Sequence, residues 1–264
     1  MAVDLTKLKL GCKPARFDRR TLQFTKYADL LPAPPPAIDW LGSVTSWGEL
    51  DNDVLGDCTC AAVGHAVQIA AVNLVPPQSP DLITDPLILE LYEKSCGYVP
   101  GDPSTDQGGV IIDVLNYVRQ NQIGKRHHKL KLKLFGYVQT NITNIEHVKQ
   151  AIATFGVVDI GISLPLSAQA QTQTGIWDVV GNPSTDPNSA PNSWGGHSVA
   201  VAAYDADGLT CITWGFPQRM TWAFWLAYST EAYPLLLREW IERYQSDYPQ
   251  VLAQLGQDLQ EVSN

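Results

Sequence analysis

The chain has 264 residues, 45% of them hydrophobic and 17% charged, which is enough to bury a substantial core as one large domain or two lobes. Its net charge of −9, with no basic arm, argues against nucleic acid as a main partner, because phosphate contact requires clustered Lys and Arg. Five widely spaced cysteines, Cys12, Cys58, Cys60, Cys96 and Cys211, do not suggest a disulfide framework, so each reads as buried filler or as chemistry.

The N-terminus "MAVDLTKLKLGCKPARF" has no apolar stretch of signal-peptide length, and no run of 18 apolar residues follows. A cytoplasmic location and no membrane partner are therefore expected. Residues 1–35 form an N-terminal extension ending in the stiff "LPAPPPAIDW". From Cys58 to Val75 apolar residues recur at helical spacing until Pro76-Pro77 stops the run. "DPLILELYEKS" and "GGVIIDVLNYVRQNQIG" predict two more helices, so 36–125 reads as a helical lobe.

From 126 the period changes. "LKLKLFGYVQT" alternates as a strand does, and the basic cluster "GKRHHKLKLK" reads as its polar face. "NIEHVKQAIATFG" predicts a short amphipathic helix, while "VVDIGISLP", "HSVAVAAYD" and "GLTCITWG" predict strands. These make 126–232 a β lobe. Between the strands, residues 167–196 are polar and rich in Pro, Asn and Ser, a loop long enough to be a lid or a mobile surface segment. From Met220 the pattern returns to helix, through "TWAFWLAYSTEAYPLLLREWIERY" and a 233–264 extension with Val251, Leu252, Leu255 and Leu259 on one face. That face fits packing within the chain or a contact between copies.

Cys58 stands behind a Gly-Asp turn at the start of the first long helix. There the partial positive charge of the helix N-terminus favours a thiolate. A nearby imidazole would do more, by forming a thiolate–imidazolium pair and later protonating a leaving group. His197, opening an apolar strand directly after the long loop, is the best placed of the histidines. Asp57 reads as a helix N-cap and Cys60 as core. His65 lies two turns up the helix from Cys58, about 10 Å along the axis, and reads as a core histidine. His127, His128 and His147 sit among charged residues and read as solvated. Cys58, Cys60 and His65 on one helix would give poor tetrahedral geometry and no fourth ligand, so no metal and no cofactor is expected.

The order of these elements resembles the papain-like cysteine peptidases over about residues 36–230. "PAIDW" with "VTSW", "NDVLGDCT", "QGGVIIDVLNYVRQNQIG", "VKQAIATFGVVDIGISL", "TGIWDVV", "HSVAVAAY" and "TWG" follow one another as that family's motifs do. The resemblance implies an α+β fold of two lobes, helical and antiparallel β, with the active-site cleft between them. It implies Cys58 as nucleophile, His197 as base and then acid, and Asn52 in place of the oxyanion Gln. It also implies Gly108 and Gly109 as the backbone that pairs with substrate, and Trp214 beside them. Anchoring on Trp214 puts Ile212 where the family carries the Asn that orients the histidine. Either Thr213 takes over that role or the dyad works alone. Too few residues precede Asp39-Trp40 for the usual autoinhibitory propeptide, and Leu55 stands where a family disulfide would begin. Residues 1–35 could lie in the cleft or pack outside it. The departures resemble a bacterial or phage-type intracellular branch. The implied function is hydrolysis of an amide (peptide) or related acyl bond, on a peptide or small acyl substrate. The competing reading is a papain-like binding or structural module with little turnover, for which Ile212 is the best argument.

Overall fold

The computed structural model describes residues 8–44, 46–121, 123, 133–238, 240–241 and 247–262. The centre of the helical lobe is α2 (Cys58–Val72), of which every residue but the last is buried; its sequence is apolar or small on every face apart from His65 and Gln68, which are bonded to each other. Helix α3 (Asp85–Cys96) ends on Gly97, whose φ of 80° gives the left-handed turn that closes a helix. Helix α4 (Ile111–Gln120) buries Ile111, Ile112, Val114, Leu115 and Val118 on one face. Two short elements precede α2 in the chain, α1 (Thr25–Ala28) and β1 (Ile38–Asp39).

The second half of the chain builds one twisted sheet. Its strands are β2 (Leu134–Tyr137), β3 (Val158–Leu164), β4 (Ile176–Trp177), β5 (Gly195–Tyr204), β6 (Gly208–Thr213), β7 (Phe216–Thr221) and β8 (Ser229–Leu237). They lie in the order β2-β8-β3-β5-β6-β7-β4, with β1 also paired to β5. All pairs are antiparallel except β4 with β7. Helices α5 (Ile145–Phe155), α6 (Trp222–Tyr228) and α7 (Pro249–Glu261) complete the lobe.

Two cores follow from strand alternation. Ala200, Ala202, Ile212, Tyr233 and Leu235 face α2, α3 and α4, while Val199, Val201, Cys211, Ile160 and Ala232 face the opposite side. The mixed α+β architecture with a helical region and an antiparallel sheet region is the one the sequence implied.

Two expectations need correction, and a third point, left open by the sequence, is answered by the packing. The segment read as C-terminal helix contains β8, a central strand paired to both β2 and β3, and it runs past residue 233 to Leu237. Its apolar residues face both cores, so the period of two is hidden in a continuous hydrophobic run. The 167–196 loop is packed rather than loose. It forms β4, buries Trp177 and Ser189, and accepts a 2.8 Å hydrogen bond from Tyr228 at the Ser189 carbonyl. Third, the N-terminal extension is built into the molecule. Phe24, Tyr27 and Leu31 are buried in the second core, and Tyr27 Oη donates to Asp258 on α7 at 2.5 Å. Val251, Leu255 and Leu259 of α7 are buried in that same core, so the apolar face of this helix is covered within the chain. Residues 124–132, most of the basic cluster, lie outside the described residues. No helix among the described residues is long and apolar enough to cross a membrane.

Candidate active site

Helix α2 begins at Cys58 because the Asp57 carbonyl accepts from the N–H groups of Cys60 and Ala61, at 2.7 and 3.0 Å. The Asp57 side chain makes no capping bond. Its carboxyl is buried, and burial followed by the charge of Asp51 pushes its pKa well above the usual range. The preceding turn carries Asn52, also buried, whose side-chain amide donates to the Leu55 carbonyl at 3.1 Å.

Helix α2 packs against β5, and His197 is the third residue of that strand. Thr213 Oγ1, at the end of β6, lies 2.7 Å from His197 Nε2. The strand register explains why Ile212 takes no part. It pairs with Ala200 and faces the helical core, whereas Thr213 faces the side that His197 shares. Trp214, at a φ of 44°, stacks on the imidazole with ring centroids 4.2 Å apart and planes 13° from parallel. His197 Nδ1 has no hydrogen-bond partner among the described residues. The ring is therefore held by a hydroxyl at one nitrogen and an indole face, with the other nitrogen open.

Cys58 and His197 are both fully buried, and burial decides their protonation. Burial pushes the Cys58 thiol up to about 12, against the opposing pull of the Ser198 and Gly11 backbone N–H groups and with a smaller push from Asp57. Burial, then the charge of His65, lowers His197 to about 3. Both groups are neutral at pH 7 in this closed state. His65 is itself buried and bonded to Gln68 at 2.9 Å, with burial lowering it to about 4.

What closes the site is the chain's own N-terminal strap, residues 9–13. Gly109 N–H donates to the Gly11 carbonyl at 2.9 Å, and Lys13 N–H donates to the Gly109 carbonyl at 2.8 Å. Cys12 N–H donates to the Gly196 carbonyl at 3.0 Å, and Lys9 N–H to the Asn52 carbonyl at 3.3 Å. Trp214 Nε1 completes the set by donating to the Lys9 carbonyl at 3.1 Å. The fit depends on glycines. A Cβ would lie 1.7 Å from the Gly56 oxygen if placed on Gly11, 2.0 Å from the Gly11 oxygen on Gly108, and 2.1 Å from the Cys12 oxygen on Gly196. Gly108 N–H is itself held by Tyr92 Oη at 2.8 Å.

The structure thus brings His197, Thr213 and Trp214 together on the β lobe, while the strap lies against Cys58, Gly108 and Gly109 and is bonded to Asn52 and Trp214. Sequence reasoning did not find the strap, the Ser198 N–H facing the sulfur, or the dependence on Gly11. The only signal for the strap was a glycine within "LKLGCKP", and its pairing with residues about 100 and 185 positions away is not a local property.

A helical lobe and an antiparallel β lobe that meet at a cleft, one offering a cysteine at a helix start and the other a histidine at a strand start, define the papain-like fold. The chain shares it with Xylellain, a cysteine protease from Xylella fastidiosa, at a TM-score of 0.63 and 17% identity over 87% of this chain and 96% of that one. It is also similar to proCathepsin B S9 from Trypanosoma congolense, at 0.55 and 10% over 88% and 87%. A third likeness is to the proform of Amb a 11, a cysteine protease and ragweed pollen allergen, at 0.54 and 15% over 83% and 71%. At these identities the likeness is one of fold. No protein-family model matches the chain, and no curated protein matches it in sequence.

Proposed function

We propose that the chain is a latent cysteine hydrolase of the papain-like type, acting on an amide (peptide) or related acyl bond. The observation that carries this reading is the His197 ring, fixed by Thr213 and Trp214 while its Nδ1 stays open, on the strand that packs against the start of α2. A module that only binds has no need of an imidazole positioned in this way beside a thiol.

In the reaction, the strap lifts and water reaches the pair, which relieves the burial that keeps both groups neutral. Cys58 transfers its proton to His197 and attacks the carbonyl carbon. The Cys58 N–H, with Asn52 once its amide turns from Leu55, receives the oxyanion. His197 then gives the proton to the leaving amine or alcohol, and water hydrolyses the thioester with His197 as base. Thr213 serves as the positioning residue in place of an Asn. The strap cannot itself be attacked as it lies, since what it turns toward the sulfur is the Gly11 N–H rather than a carbonyl carbon. No cofactor enters this scheme, and a peptide or small acyl compound is the substrate.

The test is the rate of Cys58 alkylation by iodoacetamide from pH 4 to 9 in full-length Gly11→Ala protein, with and without His197→Ala. Fast labelling at pH 5 that disappears with His197→Ala supports the pair. Labelling that follows an ordinary thiol titration near pH 8.5, unchanged by His197→Ala, overturns it.

A further inference from the structure

Two of the three cysteines in the helical lobe meet at one hydroxyl. Cys60 lies in the first turn of α2 and Cys96 is the last residue of α3, and these two helices pack against each other. Ser95 Oγ stands 3.7 Å from Cys60 Sγ and 3.4 Å from Cys96 Sγ. Its own proton goes to the Leu91 carbonyl, at 2.7 Å, one turn back along α3. The two thiols also hydrogen-bond to each other, so the sulfurs are direct neighbours. Both are free thiols, and the hydrolase reaction uses neither.

The members of this pair are unequal, in a way that suits oxidation. Cys60 is 0% exposed, whereas Cys96 is partly exposed at the end of its helix. Cys96 is the one cysteine of the five held below its ordinary pKa. The hydrogen bond from Cys60 is the main cause, against the opposing effect of burial, and Ser95, the charge of Lys13 and Thr59 add to it. Burial pushes Cys12, Cys58, Cys60 and Cys211 up instead. The buried Thr59 hydroxyl has no partner while Cys96 is a thiol, which leaves it free to donate to the thiolate. Thiolates are the form that attacks peroxides, so Cys96 is the reactive member and Cys60 the resolving one. A disulfide needs Cα atoms about 4.4–6.8 Å apart. Gly97, at a φ of 80° and with no atom within 4 Å of where its Cβ would stand, gives the last turn of α3 room to shift.

We propose that Cys60 and Cys96 form a redox-active dithiol, a modification site separate from Cys58, which a hydroperoxide converts to a disulfide joining α2 to α3. The Cys96 sulfur attacks the terminal peroxide oxygen and the O–O bond breaks. The leaving oxygen takes a proton and departs as water or an alcohol, and Cys96 becomes a sulfenic acid. The Cys60 sulfur then attacks the Cys96 sulfur, the S–O bond breaks, and hydroxide leaves with the Cys60 proton as water. The two thiols together lose two electrons, and the hydroperoxide takes both. None of these steps requires Cys58 to be catalytic. Cys58 is fully buried beneath the strap with its thiol pushed up to about 12, so it stays reduced while the pair is oxidised.

The experiment treats the full-length protein with hydrogen peroxide at pH 7. The sample is then unfolded in acid, alkylated with N-ethylmaleimide, and mapped by peptide fragmentation without reductant. The intact mass should fall by two hydrogens before alkylation, and one peptide pair should be joined through Cys60 and Cys96. Alkylation of these two should drop together by at least tenfold, while Cys58 and Cys211 remain fully alkylated. Dithiothreitol should restore both. Cys96→Ser should abolish the joined pair, and Cys60→Ala should leave Cys96 as a sulfenic acid that dimedone captures. The wild-type map decides the matter even where a variant does not fold. A disulfide from Cys58 to any other cysteine, oxidation of Cys58 ahead of Cys96, or oxygen added to Cys96 with no disulfide overturns the pair. Failure of peroxide to oxidise either thiol overturns it as well.

Discussion

Gly11→Ala should turn the closed protein into an open one. The added Cβ would stand 1.7 Å from the Gly56 carbonyl oxygen, a separation no relaxation of a side chain can relieve because both partners are backbone. Residue 11 must therefore leave its seat. At least two bonds go with it, Gly109 N–H to the residue 11 carbonyl and Cys12 N–H to the Gly196 carbonyl. At about 1 kcal/mol net for each hydrogen bond, the seat loses about 2 kcal/mol. This raises the ratio of open to closed molecules by about 30-fold, since 1.4 kcal/mol is a factor of ten. Cys58 reacts only when uncovered, so its alkylation rate at pH 7 should rise by about that factor, read as mass gain against time. Gly256→Ala, on α7 with no atom within 4 Å of its Cβ, is the control and should leave the rate unchanged. Equal labelling of wild type and Gly11→Ala would refute the view that the strap governs access.

Thr213→Val removes the hydroxyl 2.7 Å from His197 Nε2 and leaves the Trp214 stack in place. Turnover in the opened protein should fall about tenfold with KM unchanged, the worth of one positioning hydrogen bond. Steady-state kinetics check this, and a fall confined to KM would argue against a positioning role. For stability, His65 is buried neutral with a pKa lowered to about 4 from an unfolded value of about 6.5. Such a group contributes most above the unfolded value and loses its contribution as pH falls toward the folded one. The advantage of wild type over His65→Gln in urea unfolding should therefore shrink by about 3 kcal/mol between pH 6.5 and 4. A difference that stays constant across that range would show that His65 is not held neutral.

The residues of the cleft were legible because their chemistry is local. A thiol at a helix start and a histidine at a strand start are visible in short stretches, and α2 is apolar enough to be placed without a structure. Other features depend on partners far along the chain. Thr213 and Ile212 are neighbours in sequence, and only the β5–β6 register decides that Thr213 faces the imidazole while Ile212 faces the opposite core. Strand β8 resembled a helix because Tyr233, Leu235 and Leu237 serve one core and Ala232 and Leu236 the other, which erases the alternation that marks a half-buried strand. The sequence leaves open whether residues 1–35 enter the cleft or pack outside it, because the seat of residues 9–13 is made by glycines far along the chain that let backbone meet backbone.

Phe24 and Tyr27, buried in the second core, anchor the strap about ten residues beyond Lys13. A blocking segment held on so short a tether stays at a local concentration on the order of millimolar, whatever the concentration of the protein. Dilution cannot relieve the block, and neither can washing or dialysis. A soluble peptide that would bind the open groove at micromolar strength meets a competitor that never diffuses away, and its apparent affinity is divided by the small open fraction. If the strap governs access, cutting the chain between Lys13 and Phe24 removes that local concentration and raises the open fraction without any change in the cleft itself.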